Sequence, residues 1–495
     1  HLVHQGMDVW SDKAFFYKKE NRFEAFDNVR IIQGDSLVLT SKTVNYDGKI
    51  KLAVAKEQVV LDNKEMLLKT DTLYFDRIKS IAYYPANGTV YDSLTTINSK
   101  RGTYVSDTKK YKFENKVVVT NPDFTLTSAR MDFYTETKHA FFYGATTIIG
   151  EDYVVRCREG FYNTDKKEGY FKKNASIDYN NRNIIGDSIY FNDTQKYASA
   201  TQNIRITDTI NNSFITGNYG QVFKEKDSAM VTHRALAINL VELDSLFIHA
   251  DTLIATGPPE QRIIRGFHDV RIFKEDLSGK TDSIHFNQTS GRAKLIRRPI
   301  SDRDLQYLTP QEIADRNPIL WSDESQMTGD EIHLTIDNEK EVLDSLLIYN
   351  NAFVIEQDSL DAANFNQIKG LQLKGKFKGK SLETVDVIQN TEMVYYLYDD
   401  ETQELTGIDK AICSALRLDF VDSGIEKITF FTNPDGVIYP PKELPENTRQ
   451  LLGFTWREDE RIYSKEDLFH GIDLENYSIK VKPGEIKGIP IELKR

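Results

Sequence analysis

Over most of its length the chain alternates apolar and polar residues with a period of two. In TDTLYFD (70–76), Asp71, Leu73 and Phe75 share one face while Thr70, Thr72 and Tyr74 share the other. The phrase returns as GDSIYFN (186–192) and TDSIHFN (281–287). Its opening small residue falls at Ser41, Thr70, Ser99, Ser128, Cys157 and Gly186, always 29 residues apart, then at Gly217, Ala250, Thr281 and Gly329 at wider spacing. The aliphatic and aromatic positions that follow form a ladder: Val44/Tyr46, Leu73/Phe75, Met131/Phe133, Ile189/Phe191 and Ile284/Phe286, with Leu253 and the pair Ile332/Leu334 in the same phase. A second phrase, offset within the period, sets a polar or small residue before a β-branched run, as in NVRII from Asn28, QVVL from Gln58 and KVVVT from Lys116. Its alternation gives Val29/Ile31, Val59/Leu61 and Val117/Val119.

Self-similarity at a fixed period marks a repeat architecture. Polar turns such as YDGK (46–49), SDTK (106–109) and TETK (135–138) follow the first strand at a constant place. Each unit of about 29 residues therefore holds two strands and two turns, and turns this short join antiparallel strands. Because one face of every strand is apolar, two layers must oppose those faces. The expected fold is all-β, an elongated antiparallel β-jelly-roll built from two-strand repeats.

The pattern divides the chain into a repeat array over 1–293, an insertion over 294–328, a continuation over 329–439 and a C-terminal cap or docking segment over 440–495. The insertion carries a helix signal, with Thr309 as N-cap, Pro310 in the first turn and Glu312 completing a capping box.

Composition narrows the function. With 27 Phe and 25 Tyr against 13 Pro the chain favours β-structure, and a net charge of −12 argues against a nucleic-acid or anionic-membrane binder. No stretch reaches the length of an apolar membrane-spanning helix. The chain opens HLVHQG rather than with Met, which implies processing or truncation and places any export signal upstream. Cys157 and Cys413 both occupy the small-residue slot of their repeats and read as packed free thiols, although their separation permits a bridge.

The repeated strand-turn-strand phrase, together with NPILWSDESQMTGDEIHL (317–334), resembles the OstA/LptA family of lipopolysaccharide-transport proteins, including long OstA-like chains and the N-terminal domain of LptD. The resemblance covers residues 10–435. It implies a periplasmic protein, free or attached to an outer-membrane complex, whose interior carries the lipid A acyl chains of lipopolysaccharide or lipooligosaccharide. It also implies head-to-tail joining to inner- and outer-membrane Lpt-type proteins through exposed terminal strand edges, with no catalysis. The chain has more repeats than short family members and lacks the transmembrane barrel that follows in LptD.

The ladder supplies the candidate groove on its own terms, since an acyl chain leaving a membrane needs a replacement apolar surface along its path. In a sandwich such positions also serve simply as packed core, and the sequence does not sort the two. The acidic or amide residues in the second slot, Asp71, Asp187, Asn218, Asp251, Asp282 and Asp330, lie on the ladder face and read as rim or turn groups. They come with no calcium loop, and no residue set suggests a metal, a cofactor or a nucleophile. His285 and His333 alternate opposite to the ladder and should be exposed. Lys294, Arg297, Arg298 and Arg303 form a basic cluster suited to solvent, lipid phosphate or an acidic partner. Two other readings stay open: a parallel β-helix enzyme acting on polysaccharide, and an envelope scaffold that binds nothing.

Overall fold

The computed structural model describes residues 1–4, 7–34, 37–64, 66–92, 94–179, 181–239, 245–297, 299–322, 324–337, 342–379, 381–399, 401–421, 424–443, 445 and 448–471. The expected residues Arg298 and 472–495 lie outside them. The chain clusters into two compact units, His1–Ile204 and Arg205–Arg495.

In the first unit, strands of 10–12 residues follow one another in series: Arg22–Gln33, Leu37–Asp47, Leu52–Asp62 and Leu67–Asp76, then Lys110–Asn121, Phe124–Tyr134, His139–Gly150, Tyr153–Asn163, Glu168–Tyr179 and Arg182–Asn192. Within each of the two series neighbours pair antiparallel, and the short strands Ile81–Tyr84, Gly88–Asp92, Thr95–Ser99 and Arg101–Val105 connect Leu67–Asp76 to Lys110–Asn121. All strand pairings among the described residues, in both units, run antiparallel, which removes the parallel β-helix reading.

The offset phrase does not open a second strand; it bends one already under way. Asp27–Asn28, Glu57–Gln58, Asn115–Lys116, Lys173–Asn174 and Gln202–Asn203 all have positive φ, and across Asn115–Lys116 the register shifts between Glu114 and Val117. Two bulge residues then oppose one on the neighbouring strand, and the bulged strand bends. Asn is the side chain that best tolerates the left-handed region, hence the recurring Asn in the phrase. Each long strand so contributes one half to each of two layers. Contacts between the layers confirm their opposition, with Tyr153 against Phe191 at 4.8 Å and Phe124 against Tyr162 at 5.7 Å between ring centroids.

The bulges also move the second-slot acids. Asp71 faces Glu57–Gln58 across the bend and is exposed rather than on the ladder face, because two residues opposite one reset the alternation. Asp187 accepts from Asn203 Nδ2 at 2.8 Å and Asp330 from Asn351 Nδ2 at 3.2 Å, so these acids tie one bend to the next.

The second unit repeats the scheme with longer strands towards its end, Val342–Gln357, Phe365–Lys378, Ser381–Tyr398 and Leu405–Val421. Strand structure continues through Arg292–Ile296 and resumes at Ile319–Ser322, both paired with Leu277–Asn287, so the interruption narrows from 294–328 to 297–318 and emerges where a bend would otherwise lie. The capping box forms as expected: Glu312 N donates to Thr309 Oγ1 at 3.2 Å, and Thr309 N donates back to Glu312 Oε2 at 2.7 Å.

Past Pro440 no strand is present among the described residues, yet the segment is held against its own unit. Gln367 donates through Nε2 to the Arg449 carbonyl and accepts from Leu451 N, both at 2.8 Å. Gln326 treats Thr455 O and Arg457 N the same way, at 2.8 and 2.7 Å. Both amides are buried, so each satisfies a backbone pair that would otherwise be costly to bury. Leu451 joins the core of Phe353, Ile355, Val394, Tyr396 and Ile408. Arg271 reaches the carbonyls of Leu468 and His470, and Lys280 pairs with Glu460 at 2.7 Å. The tail is a strap over the second unit.

Candidate functional site

The interior of the first unit is lined by rows of directly paired, inward-facing residues. In one layer a row reads Ile31, Leu39, Leu61, Leu68, Val90, Ile97, Val119, Leu126, Ile148, Val155, Ile177 and Ile184, aliphatic throughout. The opposing layer changes character along its length. Its row begins Ala25, Val44, Ala55 and Leu73; from Tyr84 it continues Gly102, Phe113, Met131, Phe142, Gly160, Phe171 and Ile189. The next row, nearer the turns, starts Phe23, Tyr46, Ala53, Phe75 and Ala82, then turns to Tyr104, Tyr111 and Phe133.

Where small residues prevail, the two layers leave a cavity of about 510 Å³. Ile31, Val44, Tyr46, Leu61, Leu73 and Phe75 of the sequence ladder all line it, with Phe23, Leu39, Ala53, Ala55 and Ala82 between them. Few polar groups reach it, among them Gln33, Asn63, Arg77 and Ser80. The volume and the apolar lining fall within the roughly 300–1,000 Å³ of small-molecule sites. At the N-terminal edge Leu2 and Phe16 also line the cavity while being 43% and 63% exposed, so the cavity reaches solvent there. At the other end the lining finishes with Tyr104, whose ring lies 4.5 Å from Tyr111, and with Ser106 at the turn that follows it.

The remaining ladder residues sit elsewhere. Val29 and Val59 are buried at the bends, and Val117, Val119, Met131, Phe133, Ile189 and Phe191 are buried in a core filled by the protein's own rings. In the second unit Leu253, Ile284, Phe286, Ile332 and Leu334 are likewise buried. Ile284 and Leu334 border a void of only about 20 Å³, room for about one water molecule. Among the described residues the ladder thus lines an apolar cavity in the early repeats and is buried alongside Phe113, Phe142 and Phe171 in the later repeats of this unit, where aromatic rings stand at the position of Ala55.

Tyr84 and Tyr104 were not among the ladder residues, yet they mark the change. The signal was available: 55, 84, 113, 142 and 171 are one repeat position, occupied by Ala, Tyr, Phe, Phe and Phe.

Lys294 pairs with Glu331, and Arg297 donates to Asn317 Oδ1 at 2.7 Å; Arg303 stands exposed on a short helix. His285 is exposed as expected, whereas His333 is half-buried, bonded to Glu331 and 4.9 Å from the Tyr349 ring. Both cysteines are free and buried, and burial pushes the Cys157 thiol up to about 12. Among the described residues no group of side chains could hold a metal ion, and no helix is long and apolar enough to cross a membrane.

No curated protein sequence matches the chain. Among solved structures, LptH, described as the LptA-homologous periplasmic component of the lipopolysaccharide transport device of Pseudomonas aeruginosa, matches at 14% identity. That match covers 22% of this chain and 76% of LptH, with a TM-score of 0.20. The model of the OstA-like protein family matches residues 1–129. The residues that line the cavity fall within the stretch that this family model matches.

Proposed function

We propose that this chain is a non-catalytic, periplasmic component of lipopolysaccharide or lipooligosaccharide transport, and that it holds lipid A acyl chains in the cavity of its N-terminal unit. The observation that carries the reading is the coincidence of that apolar, solvent-reaching cavity with the residues that match the OstA-like family. Each methylene taken from a membrane into water costs about 0.8 kcal/mol, and the alternation of Tyr46 and Phe75 with Ala53 and Ala55 offers apolar surface with space beside it. The residues proposed to touch lipid are Ile31, Val44, Tyr46, Leu61, Leu73 and Phe75.

Edge strands offer the means of joining partners of the Lpt type on the inner- and outer-membrane sides. At the N-terminal edge Leu2–His4 and Lys13–Tyr17 each pair on one side among the described residues, and Val3 and Phe16 are exposed. In the second unit Gly424–Phe431 and Asp435–Tyr439 do the same, with Phe431 and Ile438 exposed. Such edges accept a further strand from another chain. The buried ladder residues of the later repeats, such as Met131, Phe133, Ile189 and Phe191, favour a spacer role for that part of the first unit.

Site-specific photocrosslinking in cells tests the cargo. A crosslinker at Leu73 or Phe75 should capture glycolipid, and one at outward-facing Tyr74 should not. Adducts confined to Tyr74, or none from any of the six cavity positions, would sink the proposal.

A further inference from the structure

We infer that Tyr104, backed by Tyr111 and Tyr84, is a stop that sets the length of acyl chain the N-terminal cavity accepts. The inference rests on the lipid-binding reading and adds to it a chain-length specificity. The cavity is open beside exposed Phe16 and ends at Tyr104, so an apolar chain entering from the mouth meets a ring at its far end. That ring has solid support. Tyr111, 3% exposed, lies 4.5 Å behind it and stacks on Phe113 at 5.5 Å with an interplanar angle of 1°.

Tyr84 closes the neighbouring row and has little freedom to move. Its hydroxyl is 2.6 Å from Ser99 Oγ, which in turn donates to the Arg101 carbonyl at 2.9 Å. Its ring lies directly over Gly88 and Gly102, where any Cβ would collide with it. Two glycines at those positions make room for the ring, and the ring fills the space that Ala55 leaves empty one repeat earlier. Rigid, interdigitated rings yield little to a ligand, so the end of the cavity behaves as a wall.

A wall of this kind predicts a break in affinity against chain length. Each methylene buried before the stop gains about fourfold in affinity, and each one beyond it stays at the mouth in water and gains nothing. The experiment is binding of a homologous series of fluorescent fatty acids, decanoate to stearate, to the full chain. Wild type should rise by about fourfold per methylene and then level off. Tyr104→Ala should move the break to longer chains; Ala82→Leu, which narrows the cavity on the strand beside Tyr104, should move it to shorter ones. The pair guards against a folding failure in either variant. A rise with no break, or a break that stays put in a variant melting like wild type, would overturn the stop alone. Failure of wild type to bind any member of the series would overturn the lipid-binding reading and the stop with it.

Discussion

Within the first unit, residues 1–106 and residues 110–192 are built from the same repeat and differ in what the repeat encloses. Both have bulged strands, polar turns and an aliphatic layer. In the first stretch Ala53, Ala55 and Ala82 line a cavity; in the second, Phe113, Phe142 and Phe171 stand at the position of Ala55 and are buried. Backbone geometry and side-chain volume are thus separable in this fold. Bulges and turns fix where the layers lie, and one inward position per repeat decides whether the space between them is empty. Evolution of a binding site here needs no new loop or strand, only small residues at two adjacent repeats.

The largest contrast should appear in thiol chemistry. Cys157 lies in the filled stretch, where burial raises its pKa to about 12. At pH 8 its thiolate fraction is then on the order of 10⁻⁴, about a thousandfold below that of an ordinary cysteine. In a Cys413→Ala background, Cys157 should react with a maleimide about a thousandfold more slowly than a cysteine placed at Tyr46 in the cavity. Comparable rates would mean that the filled stretch opens readily and that the contrast is static only.

Stability should divide along the same line. Phe142→Ala removes a ring packed on all sides and should cost about 3–5 kcal/mol, partly for the cavity it leaves. Phe75→Ala removes a ring that already borders a cavity, so fewer contacts are lost and the cost should fall below about 2 kcal/mol. Urea unfolding followed by near-ultraviolet circular dichroism measures both. Equal losses would show that the cavity is filled in solution.

Ala55→Phe converts the open stretch towards the filled one. Phe stands at the equivalent position in three later repeats, so the backbone accepts it, and the melting midpoint should change little. Binding of a fluorescent fatty acid should weaken by more than about tenfold, given the apolar volume lost. An unchanged affinity would place the ligand elsewhere.

How much of this was legible beforehand follows from which interactions repeat. Alternation and the 29-residue period located the strands, the turns and the inward ladder, because the same local requirement recurs in every unit. The bends were not legible: an Asn before a β-branched run fits a strand start as well as a bulge, and only pairing across Asn115–Lys116 shows the bulge. Ladder residues with identical patterns, such as Leu73 and Ile189, parted into cavity and core because the deciding residue sits on the neighbouring strand, Ala55 for one and Phe171 for the other. The strap was illegible for another reason. Gln326 meets Thr455 and Arg457 across some 130 residues with no periodic cue, and a buried Gln looks like any other Gln in sequence.

The smallest effect tests the boundary itself. Tyr84→Phe keeps the ring over Gly88 and Gly102 and removes only the hydroxyl bonded to Ser99. At neutral pH the loss should be about 0.5–1.5 kcal/mol, the net worth of one hydrogen bond, since Ser99 retains its bond to the Arg101 carbonyl. The pH dependence has a definite sign. Burial holds the Tyr84 phenol up at about 12 in the folded chain, against an ordinary value near 10. Above pH 10 the unfolded chain therefore sheds this proton while the folded chain keeps it. The stability Tyr84 contributes is complete below pH 10 and is lost as pH rises towards 12. Phe carries no such proton, so the gap between wild type and Tyr84→Phe should shrink from pH 8 to pH 11. A gap that stays constant over that range would mean the phenol is solvated, and the boundary between cavity and core would then be looser than its geometry implies.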